Sequence, residues 1–154
     1  MQHRTEEKEK ELNMKKNNNI VTMPKALKGK TVLVVDDNIM NIMIANIILK
    51  KYDVVLSKAS NGEEAVNYLK NNECDLVLMD LQMPVLNGYE ASGIIRQRLQ
   101  LNLPIIALTA SNTKEEREKC FEVGMNDYLA KPFSEEQLLQ TICVWIGKPE
   151  DSII

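Results

Sequence analysis

An apolar run that stops abruptly at two carboxylates constrains this chain more than any other feature. Thr31 to Asn38 reads TVLVVDDN, four apolar positions from Val32 to Val35 followed by Asp36 and Asp37. A continuous β-branched run bounded by polar residues reads as a buried strand of a parallel sheet. In such sheets ligands bind outside the carboxyl ends of the strands, and two acids placed there can hold a hard cation. The pattern recurs. DLVLMD ends in Asp80, PIIALTAS in Thr109 and Ser111, and NDYLAKPF in Lys131 followed by Pro132. Three acids, a hydroxyl and an amine thus fall at the ends of separate short strands.

The segments between these runs read as helices. Asn38 can cap a helix to about Lys50, Asn61–Gly62 turns into a helix over Glu63–Leu69, and Gly88 opens one to about Leu99. Thr113–Phe121 is a charged helix with Gly124 as its C′ residue. Ser134 and Gln137 form a capping box before the last helix, which Gly147 and Pro149 stop. Val54–Leu56 supplies the remaining strand, and Leu76–Met79, almost wholly apolar, is the expected central one. Strand–helix repeated five times with short connections predicts an α/β fold, a doubly wound parallel sheet with helices on both faces. On a helical wheel the first helix turns Met40, Ile44, Ile48 and Ala45 to the sheet, leaving Ile39, Ile42 and Met43 as a second, surplus apolar face.

A length of 154 residues suits one domain with a sizeable core. Residues 1–28 contain the charged, Asn-rich run HRTEEKEKELNMKKNNNI, which has little to bury and reads as a tail, disordered or partly helical around Glu6 to Met14. Residues 29–147 are the expected folded domain and 148–154 a C-terminal tail. A formal charge of -3 argues against a phosphate-tracking nucleic-acid surface. One histidine, His3, excludes His-rich metal sites and a Ser-His-Asp arrangement. Cys74, Cys120 and Cys143 have no CxxC spacing and read as buried free thiols. No apolar run is long enough for a membrane span and the N-terminus carries no signal-peptide run, so a cytoplasmic location is expected.

Asp36, Asp37 and Asp80 would meet if the first and third strands are neighbours. Three carboxylates repel unless cations compensate; Lys131 balances one charge, and all-oxygen ligation favours Mg²⁺. With Thr109 and Lys131 as donors to phosphoryl oxygens, an aspartyl-phosphate is the expected product. No GxxxxGK[ST] loop is present to cradle a nucleotide, so the phosphoryl group must come from something smaller or from another protein.

These residues carry a resemblance. VVDDN, VLMDLQMPVLNGYE, ALTAS and DYLAKPF, in order from Lys30 to about Ile146, resemble the receiver domains of two-component response regulators and hybrid histidine kinases. The resemblance implies a flavodoxin-like (βα)5 fold with strand order 2-1-3-4-5. It implies Asp80 as phosphoacceptor and Mg²⁺, for which Mn²⁺ can substitute, held by Asp36, Asp37, Asp80 and the backbone carbonyl of Gln82. Thr109 would hydrogen-bond the phosphoryl group, Lys131 would pair with it from a cis Lys131–Pro132 bond, and Tyr128 would be a switch ring coupled to Thr109. The domain would catalyse its own phosphorylation and slow dephosphorylation. The phosphoryl donor would be a histidine kinase or a histidine phosphotransfer protein, docked on Ile39, Ile42 and Met43. A downstream protein would read the face made by the fourth helix, fifth strand and fifth helix. Two other functions fit parts of the pattern, a phosphorylation-independent scaffold and a Mg²⁺-dependent phosphohydrolase. The second needs an acid two residues after the nucleophile, where this chain has Gln82.

Overall fold

The computed structural model describes residues 7–10 and 27–146. Five strands, β1 (Thr31–Val35), β2 (Val55–Ala59), β3 (Leu76–Asp80), β4 (Ile105–Thr109) and β5 (Asp127–Ala130), alternate with five helices. These are α1 (Ile39–Lys50), α2 (Gly62–Asn71), α3 (Gly88–Gln97), α4 (Lys114–Glu122) and α5 (Glu135–Ile146). The strands pair in parallel in the order β2-β1-β3-β4-β5, as expected. β3 is central and buried at all five positions. β2 runs three residues beyond its expected end, through Ser57, Lys58 and Ala59. Backbone pairing of Val34 with Lys58 and of Val35 with Ala59 continues it where the side chains turn polar, which an edge strand tolerates.

The alternation of side chains along each strand builds two cores. Val32, Val34, Leu76, Leu78, Ile106 and Leu108 pack under α1 and α5. Leu33, Val35, Val77, Met79, Ile105 and Ala107 pack on the opposite face, under α2, α3 and α4. Polar bonds pin the helices. Asn38, Asn61, Asn87 and Thr113 cap α1 to α4, each accepting a helical N–H. Ser134 and Gln137 form the expected capping box of α5, and Trp145 donates its indole N–H to Asp127 at 3.1 Å. Arg96 on α3 donates to the carbonyls of Leu101, Leu103 and Gly124 and to the Asn126 side chain, tying the loops before β4 and β5 together.

The first helix departs from the wheel. Ile42, Ala45, Ile48 and Leu49 face the sheet, so Ile42, expected on the surplus face, is a core residue at 7% exposure. Met40 and Ile44, expected in the core, are exposed together with Ile39, Met43 and Ile47. The helix carries apolar residues nearly all round, so periodicity alone does not orient it. Its inward face is centred on Ala45, which is fully buried. The surplus apolar face exists, rotated from its expected position.

Cys120 and Cys143 are buried cysteines outside any disulfide, while Cys74 is half-buried in the loop after α2. Burial raises the thiol pKa to about 12 at Cys120 and to about 11 at Cys143 and Cys74. Residues 7–10 are helical. The rest of the tail expected over 1–28, apart from Leu27 and Lys28, lies outside the described residues, as do Gly147, Pro149 and the tail 148–154. No helix among the described residues is long and apolar enough to cross a membrane.

Candidate functional site

Parallel register brings the chemistry to one sheet edge. β1 and β3 are neighbours, with Val35 beside Met79, so Asp36 and Asp80 leave the sheet side by side. Asp36, Asp37 and Asp80 each offer a carboxylate oxygen within 4.8 Å of the others. Asp36 and Asp80 are buried while Asp37 is exposed. The Asp36 carboxylate is fixed by the Asn38 N–H at 2.9 Å and the Asn41 side-chain amide at 3.0 Å. Asn41 was missed in the sequence. Its only signal is its place in the first turn of a helix that starts two residues after the acid pair.

Lys131 reaches in from the end of β5. Its Nζ lies 3.2 Å from Asp80 Oδ1 and 3.6 Å from Asp36 Oδ2, and the Lys131–Pro132 bond is cis, as expected. Gln82 lines the same cleft of about 260 Å³ and gives its N–H to Asp80 Oδ1 at 3.4 Å. Burial and the neighbouring Asp36 charge raise the Asp80 pKa, with Lys131 pulling the other way. Thr109, at the end of β4, is fully buried, and its hydroxyl has no hydrogen-bond partner among the described residues. A buried hydroxyl without a partner is costly and marks a place where an acceptor is expected.

Gly88 opens α3 against the end of β3 behind Asp80. A Cβ there would meet the Asp80 carbonyl oxygen, so the close approach of α3 to the end of β3 requires glycine. Val85, in the loop between them, is 72% exposed and sits at φ 71, a strained conformation for a β-branched residue. Glu116, another residue missed in the sequence, also lines the cleft and accepts from Ser111 at 3.4 Å.

Tyr128 is placed on the same sheet face as Thr109. β4 and β5 pair Ala107 with Tyr128 and Thr109 with Ala130, which sets the ring one pair away from the hydroxyl. The ring packs edge-on against Phe121 at 6.3 Å, under the guanidinium of Arg117 at 5.5 Å.

The oxygen-only donor set fits a small hard cation. Three carboxylates face one ammonium, and the exposed Asp37 leaves one side open to water, as a cation that keeps part of its hydration requires.

An acidic edge on a 2-1-3-4-5 sheet, closed by one lysine, defines a receiver-type module. The model of the response regulator receiver domain family matches residues 32–143, and the chain belongs to that family. It is 39% identical over 128 residues to the sensor protein GacS of Pseudomonas syringae pv. syringae, a match covering 80% of this chain and 14% of that protein. The chain thus spans about a seventh of the length of such curated relatives. Among solved structures it resembles the receiver domain of a sensor histidine kinase from Pseudomonas aeruginosa PAO1, crystallised with a magnesium ion coordinated in its active-site cleft. That likeness has a TM-score of 0.72 and 39% identity, covering 78% of this chain and 99% of the other. It also resembles the Ssk1 receiver domain of Saccharomyces cerevisiae, co-crystallised with the histidine phosphotransfer protein Ypd1. There the TM-score is 0.74 and the identity 37%, over 79% of this chain and 91% of the other. The fold and family make this chain a receiver domain of the kind used in two-component phosphorelay systems.

Proposed function

We propose that Asp80 is the phosphoacceptor and that its donor is the phosphohistidine of a histidine kinase or phosphotransfer protein. The observation that carries this reading is the pairing of Asp80 with Lys131 at 3.2 Å beside the partnerless Thr109 hydroxyl. An Asp80 oxygen attacks phosphorus, the P–N bond breaks as the O–P bond forms, and the imidazole leaves with the bonding pair and a proton. Lys131 pairs with one phosphoryl oxygen and Thr109 donates to another. Asp36, Asp37 and Asp80, with the Gln82 carbonyl, would hold Mg²⁺ or Mn²⁺. The ion would supply neutralising charge for phosphoryl oxygens. Water attacking the same phosphorus returns the free carboxylate, slowly, because Gln82 provides no acid or base there.

Drawing Thr109 toward the phosphoryl group alters what Tyr128 packs against, and so the surface of α4, β5 and α5 on which a downstream protein would read the state. The exposed stripe Ile39, Met40, Met43, Ile44 and Ile47 borders the acceptor and suits an apolar helix of the donor, which would aim its phosphohistidine at Asp80. The Ypd1–Ssk1 complex supports a phosphotransfer protein as donor. The domain would work in the cytoplasm, as residues 29–147 within either a single-domain regulator or a hybrid kinase. A scaffold function gains nothing from a complete acid–lysine–hydroxyl set.

The test is transfer from a phosphorylated histidine phosphotransfer protein. The label should move to wild-type protein only with Mg²⁺, and Asp80→Asn should accept none. Full transfer to Asp80→Asn would end the assignment.

A further inference from the structure

Outside the acceptor cleft, the contacts that sequence and family leave unexplained are those made by residues 7–10. This helical piece lies against α4, more than a hundred residues away in the chain. Glu9 Oε1 accepts from Arg117 Nε at 2.6 Å, and both side chains are largely covered, with 24% and 18% of their surface exposed. Lys8 Nζ sits 4.3 Å above the centre of the Phe121 ring. The two contacts are on neighbouring residues and address positions four apart on α4, one helical turn, so they reinforce each other in a single docked pose.

The docked surface is the one tied to the acceptor. Arg117 carries Glu9 on one side and covers the Tyr128 ring on the other, and Phe121 packs edge-on against that ring. Burial raises the Tyr128 phenol above its ordinary pKa, and the Glu9 charge adds to the rise. Tyr128 shares its sheet face with the buried Thr109 hydroxyl across the β4–β5 pairing. Packed side chains therefore run from Tyr128 through Arg117 to Glu9, and Tyr128 lies diagonally across the β4–β5 pairing from Thr109. The Arg117 guanidinium is held in place by the Asn112 carbonyl at 2.7 Å, in the loop that follows β4 and the cleft residues Ala110 and Ser111.

We propose that the α4–β5 face is a docking surface for an acidic–basic helix, that its occupant in this protein is the N-terminal segment carrying Lys8 and Glu9, and that loading Asp80 undocks it. The gating half rests on the phosphoacceptor reading; the docking half does not. Residues 7–10 cover Arg117 and Phe121 while the acceptor is free, and a shift of Thr109 and Tyr128 toward a phosphoryl group withdraws the support on which Arg117 lies. The segment then competes with a downstream protein for the same face. By linkage, a cover that favours the unloaded state opposes loading by the same factor. One partly exposed ion pair and one cation–π contact make this a light latch, within reach of a local charge event.

The experiment uses the full chain, comparing wild type with a Lys8→Ala/Glu9→Ala variant by amide and arginine side-chain NMR spectra. The acceptor is loaded with Mg²⁺ and beryllium fluoride, a tetrahedral mimic of an aspartyl-bound phosphoryl group. Without ligand, the variant should shift the Arg117 Nε–H signal and the amides of Lys114–Glu122 and Tyr128, leaving α1 unmoved. With the mimic bound, the wild-type and variant signals of α4 should coincide. Beryllium fluoride should bind the variant roughly two- to fivefold more tightly than wild type, and equal affinity would overturn the gating. Identical spectra without ligand would overturn the docking. A difference on α4 that survives loading unchanged would overturn the gating. If beryllium fluoride moves no signal at Asp80, Thr109 or Lys131 in either protein, the phosphoacceptor reading fails and the gating with it, while the unliganded comparison still decides the docking.

Discussion

Ile42→Ser is expected to lower the stability of the domain by about 3–5 kcal/mol, and its melting temperature by roughly 10 °C or more. Ile42 is buried in the core shared by α1, α5 and one sheet face, beside Ala45, Ile48 and Leu49. Truncation removes most of a large apolar side chain, leaves a cavity that close-packed neighbours fill only in part, and adds a hydroxyl with no partner there. Ile47→Ser, five residues on and 61% exposed, is expected to change stability by less than about 0.5 kcal/mol. The contrast extends to function. Ile47→Ser and Met43→Ser should label normally with acetyl phosphate, yet accept phosphoryl groups from a phosphohistidine donor several-fold more slowly. Burial of one exposed isoleucine at a helix contact is worth about 1.5–3 kcal/mol at most. Thermal melting and transfer kinetics on the same proteins check both halves. A stable Ile42→Ser protein would refute the burial, and unchanged transfer in the surface variants would remove the stripe from the donor contact.

Mg²⁺ should stabilise the wild-type protein, and Asp37→Ala should lose most of that effect. The cleft gathers three carboxylates, two of them paired with one ammonium, so a divalent cation relieves repulsion that the folded state otherwise carries. At ten times its dissociation constant a ligand bound only by the folded state adds about 1.4 kcal/mol, a rise of roughly 3–6 °C here. Asp37 is the exposed acid, with no described internal bond to lose, so its truncation removes a ligand while leaving the fold intact. Melting curves with Mg²⁺ or with chelator measure the difference directly. An equal rise in Asp37→Ala would exclude Asp37 from the ligand set.

The site was legible where strands end. Val32–Val35, Leu76–Met79 and Ile105–Leu108 are continuous apolar runs, so the switch to Asp36, Asp80 and Thr109 marks the sheet edge without any knowledge of packing. Five alternations with short connections then leave few ways to arrange a parallel sheet, and the family signatures fixed the order. The orientation of α1 was not legible, because Ile39, Met40, Ile42, Met43 and Ile44 present no polar sector from which to measure. The end of β2 was hidden because Ser57 and Lys58 are held by backbone pairing to β1 rather than by side-chain burial. Asn41 and Glu116 enter the site through tertiary placement, and so does the contact of Lys8 and Glu9 with α4. Nothing local in HRTEEKEKEL distinguishes the residues that dock from their charged neighbours.

The account stands on Asp80 as the single phosphorylated residue, and intact-mass measurement after acetyl phosphate and Mg²⁺ tests it most directly. One phosphoryl mass should appear on the wild-type chain, vanish with hydroxylamine as an acyl phosphate must, and map to the peptide containing Asp80. An adduct of full yield on Asp80→Asn, or one that resists hydroxylamine, would contradict the account.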